Sequence, residues 1–118
     1  MILVDTSVWI DYFRAGNPAL EELLNQSRVL MHPFVLGELA LGNFRRREIL
    51  NVLRVLPQAV VATDSEVLGL IEERTLFGLG IGYVDAHLFA SIRLTPGASL
   101  LTRDNRLATA SERLSLTH

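Results

Sequence analysis

Two residue types are absent from this chain of 118 residues, which contains neither cysteine nor lysine. Without cysteine it has no disulfide, no thiolate zinc site and no thiol nucleophile. Without lysine it lacks the phosphate-binding residue of a P-loop and the amine of a Schiff-base enzyme. All eleven basic residues are arginines, and the net charge is −2. Any contact with nucleic acid therefore depends on locally clustered arginines or on a bound cation.

Long apolar runs and a basic leader are also missing. No stretch of about 18 residues is free of charge, as a membrane-spanning helix would require. The first residues, MILVD, reach an acid at once, whereas a signal peptide begins with a basic region. Hydrophobic residues make up 49% of the chain, which at this length is enough for one buried core. We therefore expect a single domain over residues 1–118 that makes no membrane contact and works, as a soluble protein, in the cytoplasm.

Short apolar runs alternate with segments of helical periodicity along the chain. The apolar runs predict strands at 1–4, 29–31, 59–62 and 99–101, with a short edge strand at the end of the chain. The periodic segments predict helices at 6–13, 18–26, 33–41, 45–56, 63–77, 83–94 and 103–113. Strands separated by helices form parallel sheets covered by helices. The expected fold class is α/β, a three-layer α/β/α architecture with a central, mainly parallel sheet.

Four carboxylates occupy positions that are unusual for a charged group. Asp5, Glu38 and Asp85 each stand alone within an apolar run, and Asp5 and Asp104 each follow a predicted strand. The carboxyl ends of parallel strands meet at one edge of a sheet, where α/β proteins build their sites. Buried unpaired carboxylates cost on the order of several kcal/mol each, and arginines are scarce in these runs. A hard divalent cation, Mg²⁺ or Mn²⁺, is the expected partner of such a cluster.

Each acid taken singly also has an ordinary interpretation. Asp5 and Asp104 stand where helix N-caps stand, and Asp85 suits the positive end of a helix dipole. Glu38 could pair with a distant arginine, although burial at mid-helix makes this the weaker alternative. The four acids together are harder to explain by caps alone, and we interpret them as one metal-binding site.

The remaining polar candidates have structural interpretations. We interpret His32 and His87 as structural residues, with a role at the rim of the site still open. Asp11 is interpreted as a surface residue, and Asp64 as support for the helix cap that begins at Thr63.

In order and spacing, four segments of the chain resemble PIN-domain ribonucleases, in particular the short VapC-type toxins of type II toxin–antitoxin systems. Residues 1–7 (MILVDTS) resemble the family's opening strand, acid and hydroxyl residue, and residues 35–39 (VLGEL) resemble its glutamate-bearing helix. Residues 82–86 (GYVDA) and 101–104 (LTRD) resemble the segments that carry its third and fourth acids. The resemblance covers essentially the whole chain.

This resemblance implies a metal-dependent endoribonuclease, with Mg²⁺ or Mn²⁺, that cuts structured RNA such as transfer or ribosomal RNA and inhibits translation. It assigns both catalysis and metal binding to the same four acids, Asp5, Glu38, Asp85 and Asp104. Three hydroxyl residues would orient these carboxylates: Thr6, Ser7 and Thr102. It also implies a homodimer and a cognate VapB-type antitoxin whose tail blocks the cleft.

Some positions depart from the family pattern or leave alternatives open. Arg106 stands where some members carry another acid or amide, so the number of bound ions is open. Arg45, Arg46 and Arg47 form either a solvated helix start or a patch that contacts RNA or the antitoxin. A catalytically silent PIN-like binding module, acting through antitoxin or RNA, is the alternative function. A phosphatase of the aspartyl-phosphate type is disfavoured because Ser7 stands where it needs a second aspartate.

Overall fold

The sheet at the centre of the structure has three short parallel strands in the spatial order β2–β1–β3. In the computed structural model, which describes residues 1–118, the strands are β1 (Ile2–Val4), β2 (Val29–Leu30) and β3 (Ser99–Leu101). The central residue Leu3 lies opposite Leu30 on one side and Leu100 on the other. Because parallel neighbours require long crossover connections, the helices occupy the segments between the strands. The predicted three-layer α/β/α fold class is confirmed.

Seven helices surround this sheet: α1 (Thr6–Ala15), α2 (Pro18–Asn25), α3 (Pro33–Leu41), α4 (Ile49–Arg54), α5 (Asp64–Glu73), α6 (Tyr83–Leu94) and α7 (Asn105–Arg113). Helix α3 contacts both α1 and α4, whereas α5 packs on α6, which also contacts β3. The longest helix, α6, has 12 residues. None of the seven has the length and apolar character needed to cross a membrane.

A single cluster of 27 buried apolar residues joins the sheet to the helices. All three residues of β1 are buried, as expected for a strand that is covered on both faces. Trp9 of α1 is fully buried, and Phe13, one turn further on, stacks on Phe44 with ring centres 5.2 Å apart. Each fully buried aliphatic or Phe side chain contributes about 1.5–3 kcal/mol relative to its exposed state. The core therefore fixes the positions of the helices, and these helices place polar residues at the edge of the sheet.

The predicted strand at 59–62 is wrong. Only Gln58 forms a bridge, with Met31, and the chain then leaves the sheet. Two backbone amides of this segment bind side chains instead of a strand. Thr95 Oγ1, at the C-cap of α6, accepts from Val60 N at 2.9 Å, and Ser91 Oγ, within α6, accepts from Ala62 N. Hydropathy alone predicts a strand here, because it does not show whether a backbone amide binds a neighbouring strand or a side chain.

The predicted helix at 45–56 is also wrong in its first third. Residues 45–48 form a turn, and the helix α4 begins only at Ile49. The guanidinium of Arg47 folds back and donates to the carbonyls of Ala40 and Gly42, at 2.7 Å each. These carbonyls lie at the end of α3, where the last helical carbonyls lack intrahelical partners. The chain turns at these residues, and the turn directs the side chain of Arg47 back to the carbonyls of Ala40 and Gly42.

Smaller differences concern the ends of elements. Met31 lies outside β2, α5 ends at Glu73 rather than at 77, and α7 begins at Asn105 because Asp104 is its N-cap. The predicted edge strand at the end of the chain is reduced to a bridge between Thr117 and Leu100.

A fully buried histidine connects β2 to α6. His32 Nδ1 accepts from Phe34 N at 3.0 Å and thereby caps α3, so Nε2 carries the hydrogen and bonds Ser91 Oγ at 3.0 Å. Burial, with a smaller contribution from the nearby His87, lowers the pKa of His32 from 6.5 to about 4. In the unfolded chain this side chain takes up a proton near its ordinary pKa. The free energy of unfolding therefore decreases as the pH falls from above 6.5 towards 4.

We predict that His32→Asn makes the stability less sensitive to acid. Asparagine keeps a cap acceptor for α3 but does not titrate, so up to about 3 kcal/mol of pH dependence should disappear. The measurement is urea denaturation between about pH 7 and pH 4. His118→Asn, at an exposed position, is the control and should retain the parent's pH dependence. An equally steep acid dependence in His32→Asn would contradict the assignment of this dependence to His32.

Candidate active site

The pairing of β1 with β3 brings two polar segments to the same edge of the sheet. Asp5 follows β1, Thr102 follows β3, and Asp5 N donates to Leu101 O at 3.1 Å. The adjoining helices α1 and α7 begin directly after these segments. The carboxyl edge of a parallel sheet is therefore the location of the candidate site, as expected for α/β proteins.

Asp5 is the only buried acid in the chain, with 6% of its surface exposed. Its Oδ1 accepts from Ser7 Oγ at 2.6 Å and from Val8 N at 3.4 Å, and its Oδ2 accepts from Thr102 Oγ1 at 2.7 Å. Burial raises the pKa of Asp5, these hydrogen bonds oppose that effect, and the charge of Asp104 adds to it. The net result is a raised pKa for a carboxyl that is held in one orientation.

The hydroxyl of Thr102 connects two of the predicted site acids. It donates to Asp5 and accepts from Asp104 N at 3.0 Å. On the other side, Ser7 Oγ accepts from Arg103 N at 3.0 Å. The turn that carries Asp104 is thus fastened to the end of β1 by two hydroxyl groups.

An ion pair that the sequence analysis missed reinforces this turn. Arg103 Nη1 lies 2.8 Å from Asp11 Oδ2, and Asp11 is partly buried rather than the plain surface residue expected from the sequence. The available signal was spacing, because Asp11 lies four residues after Ser7 and so on the same face of α1.

The pKa of Asp85 depends on the charges of the other three acids. Half-buried in the first turn of α6, Asp85 accepts from Gly82 N through Oδ2 at 3.1 Å. Burial raises the pKa of Asp85, the Gly82 hydrogen bond opposes this, and the negative charges of Asp5, Asp104 and Glu38 raise the pKa further. Like charges in one site disfavour ionisation in this way.

The other two acids are exposed, and the expectation that Glu38 is buried at mid-helix is wrong. Glu38 Oε1 accepts from Thr6 Oγ1 at 2.9 Å, and Asp104 Oδ1 accepts from Leu107 N at 2.9 Å as the cap of α7. Helix α3 carries apolar residues on several faces, including Leu41, which is 90% exposed. An apolar sequence around Glu38 therefore did not identify the buried face.

Three of the four carboxylates combine one occupied oxygen with one free oxygen. Glu38 Oε2, Asp85 Oδ1 and Asp104 Oδ2 have no hydrogen-bond partner in the protein. None of the four acids forms an ion pair with an arginine. The cap interpretation and the site interpretation are thus compatible, since a cap uses a single oxygen of each carboxylate.

This donor set consists of carboxylate oxygens, which are ligands for hard cations. No three Asp, Glu or His side chains are close enough to form a complete metal cage. Mg²⁺ does not need one, because it is usually held by one or two carboxylates and keeps several waters. Unpartnered carboxylate oxygens beside a buried carboxylate therefore fit Mg²⁺ or Mn²⁺ by their chemistry.

The structure divides the arginine run into three different environments. Arg47 caps α3 and lies over the ring of Phe44, with Cζ 5.0 Å from the ring centre. Arg46 pairs with Glu48 at 3.1 Å in an exposed ion pair, which is worth little in water. The side chain of Arg45 makes no hydrogen bond or ion pair with the protein, so Arg45 is the member of the run whose guanidinium is free to bind a partner.

His87 contacts Asp64 and none of the four site acids, in agreement with its structural interpretation. It is buried and its Nε2 lies 3.1 Å from Asp64 Oδ1, which also accepts from the Tyr83 hydroxyl. The predicted cap at Thr63 is present, and Glu66 completes it as a capping box. Asp64 lies in the first turn of α5, where an acid supports the cap, and its side chain also joins α5 to α6.

Residues 2–112 match the family model of the PIN domain, and the chain belongs to this family. Its relatives include two proteins named Ribonuclease VapC32, from Mycobacterium tuberculosis strains CDC 1551 / Oshkosh and ATCC 25618 / H37Rv. Each is 50% identical to this chain over 111 residues, which cover 93% of this chain and 90% of the relative. The resemblance inferred from the motifs is thereby confirmed.

We predict that Asp85→Asn separates metal binding from folding. Asparagine retains an acceptor for Gly82 N but removes one of four neighbouring charges, so the variant in EDTA should melt at or slightly above the parent temperature. A cation at about a hundred times its Kd adds about 2.7 kcal/mol to the stability of a protein that binds it only when folded. Millimolar Mn²⁺ should therefore raise the melting temperature of the parent but not that of the variant.

Glu72→Gln is the matched control for this measurement because Glu72 is an exposed acid on α5. It should show the full shift with Mn²⁺. A large destabilisation of Asp85→Asn in EDTA, together with an intact Mn²⁺ shift, would identify Asp85 as a structural residue instead of a ligand.

We predict that Thr102→Val destabilises the protein by about 1–3 kcal/mol, the cost of leaving buried polar groups unpaired. Valine has the same shape but removes both the donor to Asp5 and the acceptor for Asp104 N. Urea denaturation at neutral pH measures the effect. Thr102→Ser keeps the hydroxyl and should recover most of the stability. Equal losses in both variants would show that the methyl group, and not the hydroxyl, is what matters.

Proposed function

We propose that this chain is a metal-dependent endoribonuclease that hydrolyses phosphodiester bonds of structured RNA, and that it is the toxin of a toxin–antitoxin pair and inhibits translation. The observation that carries the proposal is the group of four acids without arginine partners, in which burial and the charges of the other three acids raise the pKa of Asp85. Half of the aligned residues are identical to those of Ribonuclease VapC32, which supports the same activity here.

We assign the cation, Mg²⁺ or Mn²⁺, to Asp5, Glu38, Asp85 and Asp104. When bound, such an ion polarises the phosphodiester, lowers the pKa of a water and offsets charge on the leaving oxygen. The chain contributes orientation: Thr6 holds Glu38, and Ser7 and Thr102 hold Asp5. Fixed carboxylates place the reacting groups without reorganisation during the reaction.

A VapB-type antitoxin is the proposed protein partner, and a homodimer and a cytoplasmic location belong to the same proposal. Two cavities share the stacked rings of Phe13 and Phe44 in their walls. One, of about 300 Å³, is lined by Glu38, and the other, of about 520 Å³, is lined by Arg45. A tail that crosses these rings would reach the acids from one cavity and bind Arg45 in the other.

Cleavage of RNA by the purified chain tests the proposal. With bulk transfer RNA and Mg²⁺ or Mn²⁺ we expect endonucleolytic fragments, and EDTA should abolish them. Glu38→Gln, Asp85→Asn and Asp104→Asn should each lower the rate about a hundredfold or more. These three substitutions avoid Asp5, the one buried acid, and so leave the core hydrogen bonds in place.

Glu72→Gln, purified in parallel, controls for contaminating nuclease and should cleave like the parent. If the parent binds RNA or antitoxin but never cleaves RNA with either metal, the chain is the catalytically silent binding module. If EDTA or the three substitutions leave cleavage unchanged, the assignment of the four acids is wrong.

A further inference from the structure

A row of polar side chains runs along one face of α7, starting two residues after Asp104. Arg106, Thr109 and Arg113 are spaced i, i+3 and i+7, which places them on one side of the helix; we call them the α7 strip. Together with Leu79 they line a cavity of about 370 Å³. The opposite face of α7 is buried in the core. The α7 strip is therefore the solvent face of the helix that the acid Asp104 caps.

The side chain of Arg106 lies against bare backbone. A Cβ added to Gly80 would lie 3.0 Å from Arg106 Cδ and 3.1 Å from its Nη1, so a side chain at this position would displace Arg106 by a few tenths of an ångström. Gly80 is two residues before Gly82, whose N–H binds Asp85. The guanidinium of Arg106 is not a partner in any of the ion pairs of the protein and makes no side-chain hydrogen bond. It is thus a positive charge without a protein partner, close to the segments that carry two of the four acids.

The α7 strip carries two guanidinium groups on one exposed helix face. Arg113 Nη2 donates to the backbone carbonyl of Arg74 at 3.0 Å, whereas the guanidinium of Arg106 has no partner in the protein. The acids nearest in sequence are Asp104, two residues before Arg106, and Glu112, beside Arg113. Locally placed arginines of this kind are what a weakly acidic protein needs in order to hold a polyanion.

We propose that the α7 strip is the path along which the RNA strand leaves the acid cluster, with Arg106 and Arg113 binding its phosphates. This inference rests on the proposed function, because it takes RNA as the substrate. The two arginines are about 10 Å apart along the helix axis at 1.5 Å per residue, so one strand lying along α7 meets them in succession. The threonine between them donates its hydroxyl to Asn105 O at 2.9 Å, so the two arginines supply the donors to the strand.

Binding of a fluorescent oligouridylate in EDTA tests the α7 strip without cleavage. The variants are Arg106→Gln and Arg113→Gln, and the control is Arg93→Gln, an exposed arginine in the last turn of α6. Each lost phosphate contact should weaken binding about fivefold at about 0.1 M salt and make the log–log salt dependence shallower by about 0.7. Arg93→Gln should match the parent in both respects. Arg106→Gln carries the decisive result, since this side chain makes no hydrogen bond whose loss would affect folding.

Two glycine variants test whether the position of Arg106 matters as well as its charge. Gly80 and Gly78 both have φ +76, but only Gly80 has Arg106 against it. Alanine at either position introduces the same backbone strain, of about 1–2 kcal/mol. We expect Gly80→Ala to weaken RNA binding and Gly78→Ala to leave it unchanged.

The outcomes separate this inference from the proposed function. Suppose that the parent cleaves RNA with Mn²⁺ and that Arg106→Gln has the RNA affinity and salt dependence of the parent. This result would overturn the proposed role of the α7 strip and leave the nuclease proposal standing. The same holds if Arg106→Gln weakens binding of a protein partner but not of RNA. A parent that neither binds nor cleaves RNA would overturn both.

Discussion

The buried carboxylate of Asp5 is the interaction on which the rest of the site depends. Water cannot solvate it, so the hydroxyls of Ser7 and Thr102 and the amide of Val8 must do so. These groups belong to the start of α1 and to the turn after β3, and Asp5 holds both in place. A buried carboxylate without them would cost several kcal/mol, on the order of a large part of the stability of a small domain. Folding of the chain therefore already positions the centre of its site.

Four negative charges remain together without arginines because backbone amides offset part of their repulsion. Val8 N, Gly82 N and Leu107 N donate to Asp5, Asp85 and Asp104 at the starts of α1, α6 and α7. The N-terminal end of a helix is positive, and a carboxylate there is stabilised by about 0.3–1 kcal/mol. A carboxylate that caps a helix with one oxygen keeps the other for a ligand. The two interpretations of the sequence are therefore compatible.

Much of this arrangement follows from the sequence, but some does not. The parallel sheet, six of the seven helices and the edge where Asp5 and Asp104 lie follow from hydrophobic periodicity and strand order. The exposure of Glu38 does not, because the apolar residues of α3 face both core and solvent. The turn at residues 45–48 and the missing strand at 59–62 depend on side chains that bind distant backbone groups, Arg47 to the end of α3 and Ser91 to Ala62. Hydrophobic periodicity does not predict such contacts, because they depend on how the folded chain brings these groups together.

The small size of the sheet restricts how two copies of the chain can associate. β2 has only two residues, and at its end Met31 is already paired with Gln58. Beside β3, the chain end pairs through Leu116 O and His118 N with Leu100. Short or covered edges give no template for strand addition by another chain. Association of two copies through helix faces is therefore compatible with this fold, whereas the edge-to-edge pairing that leads sheets to aggregate is disfavoured.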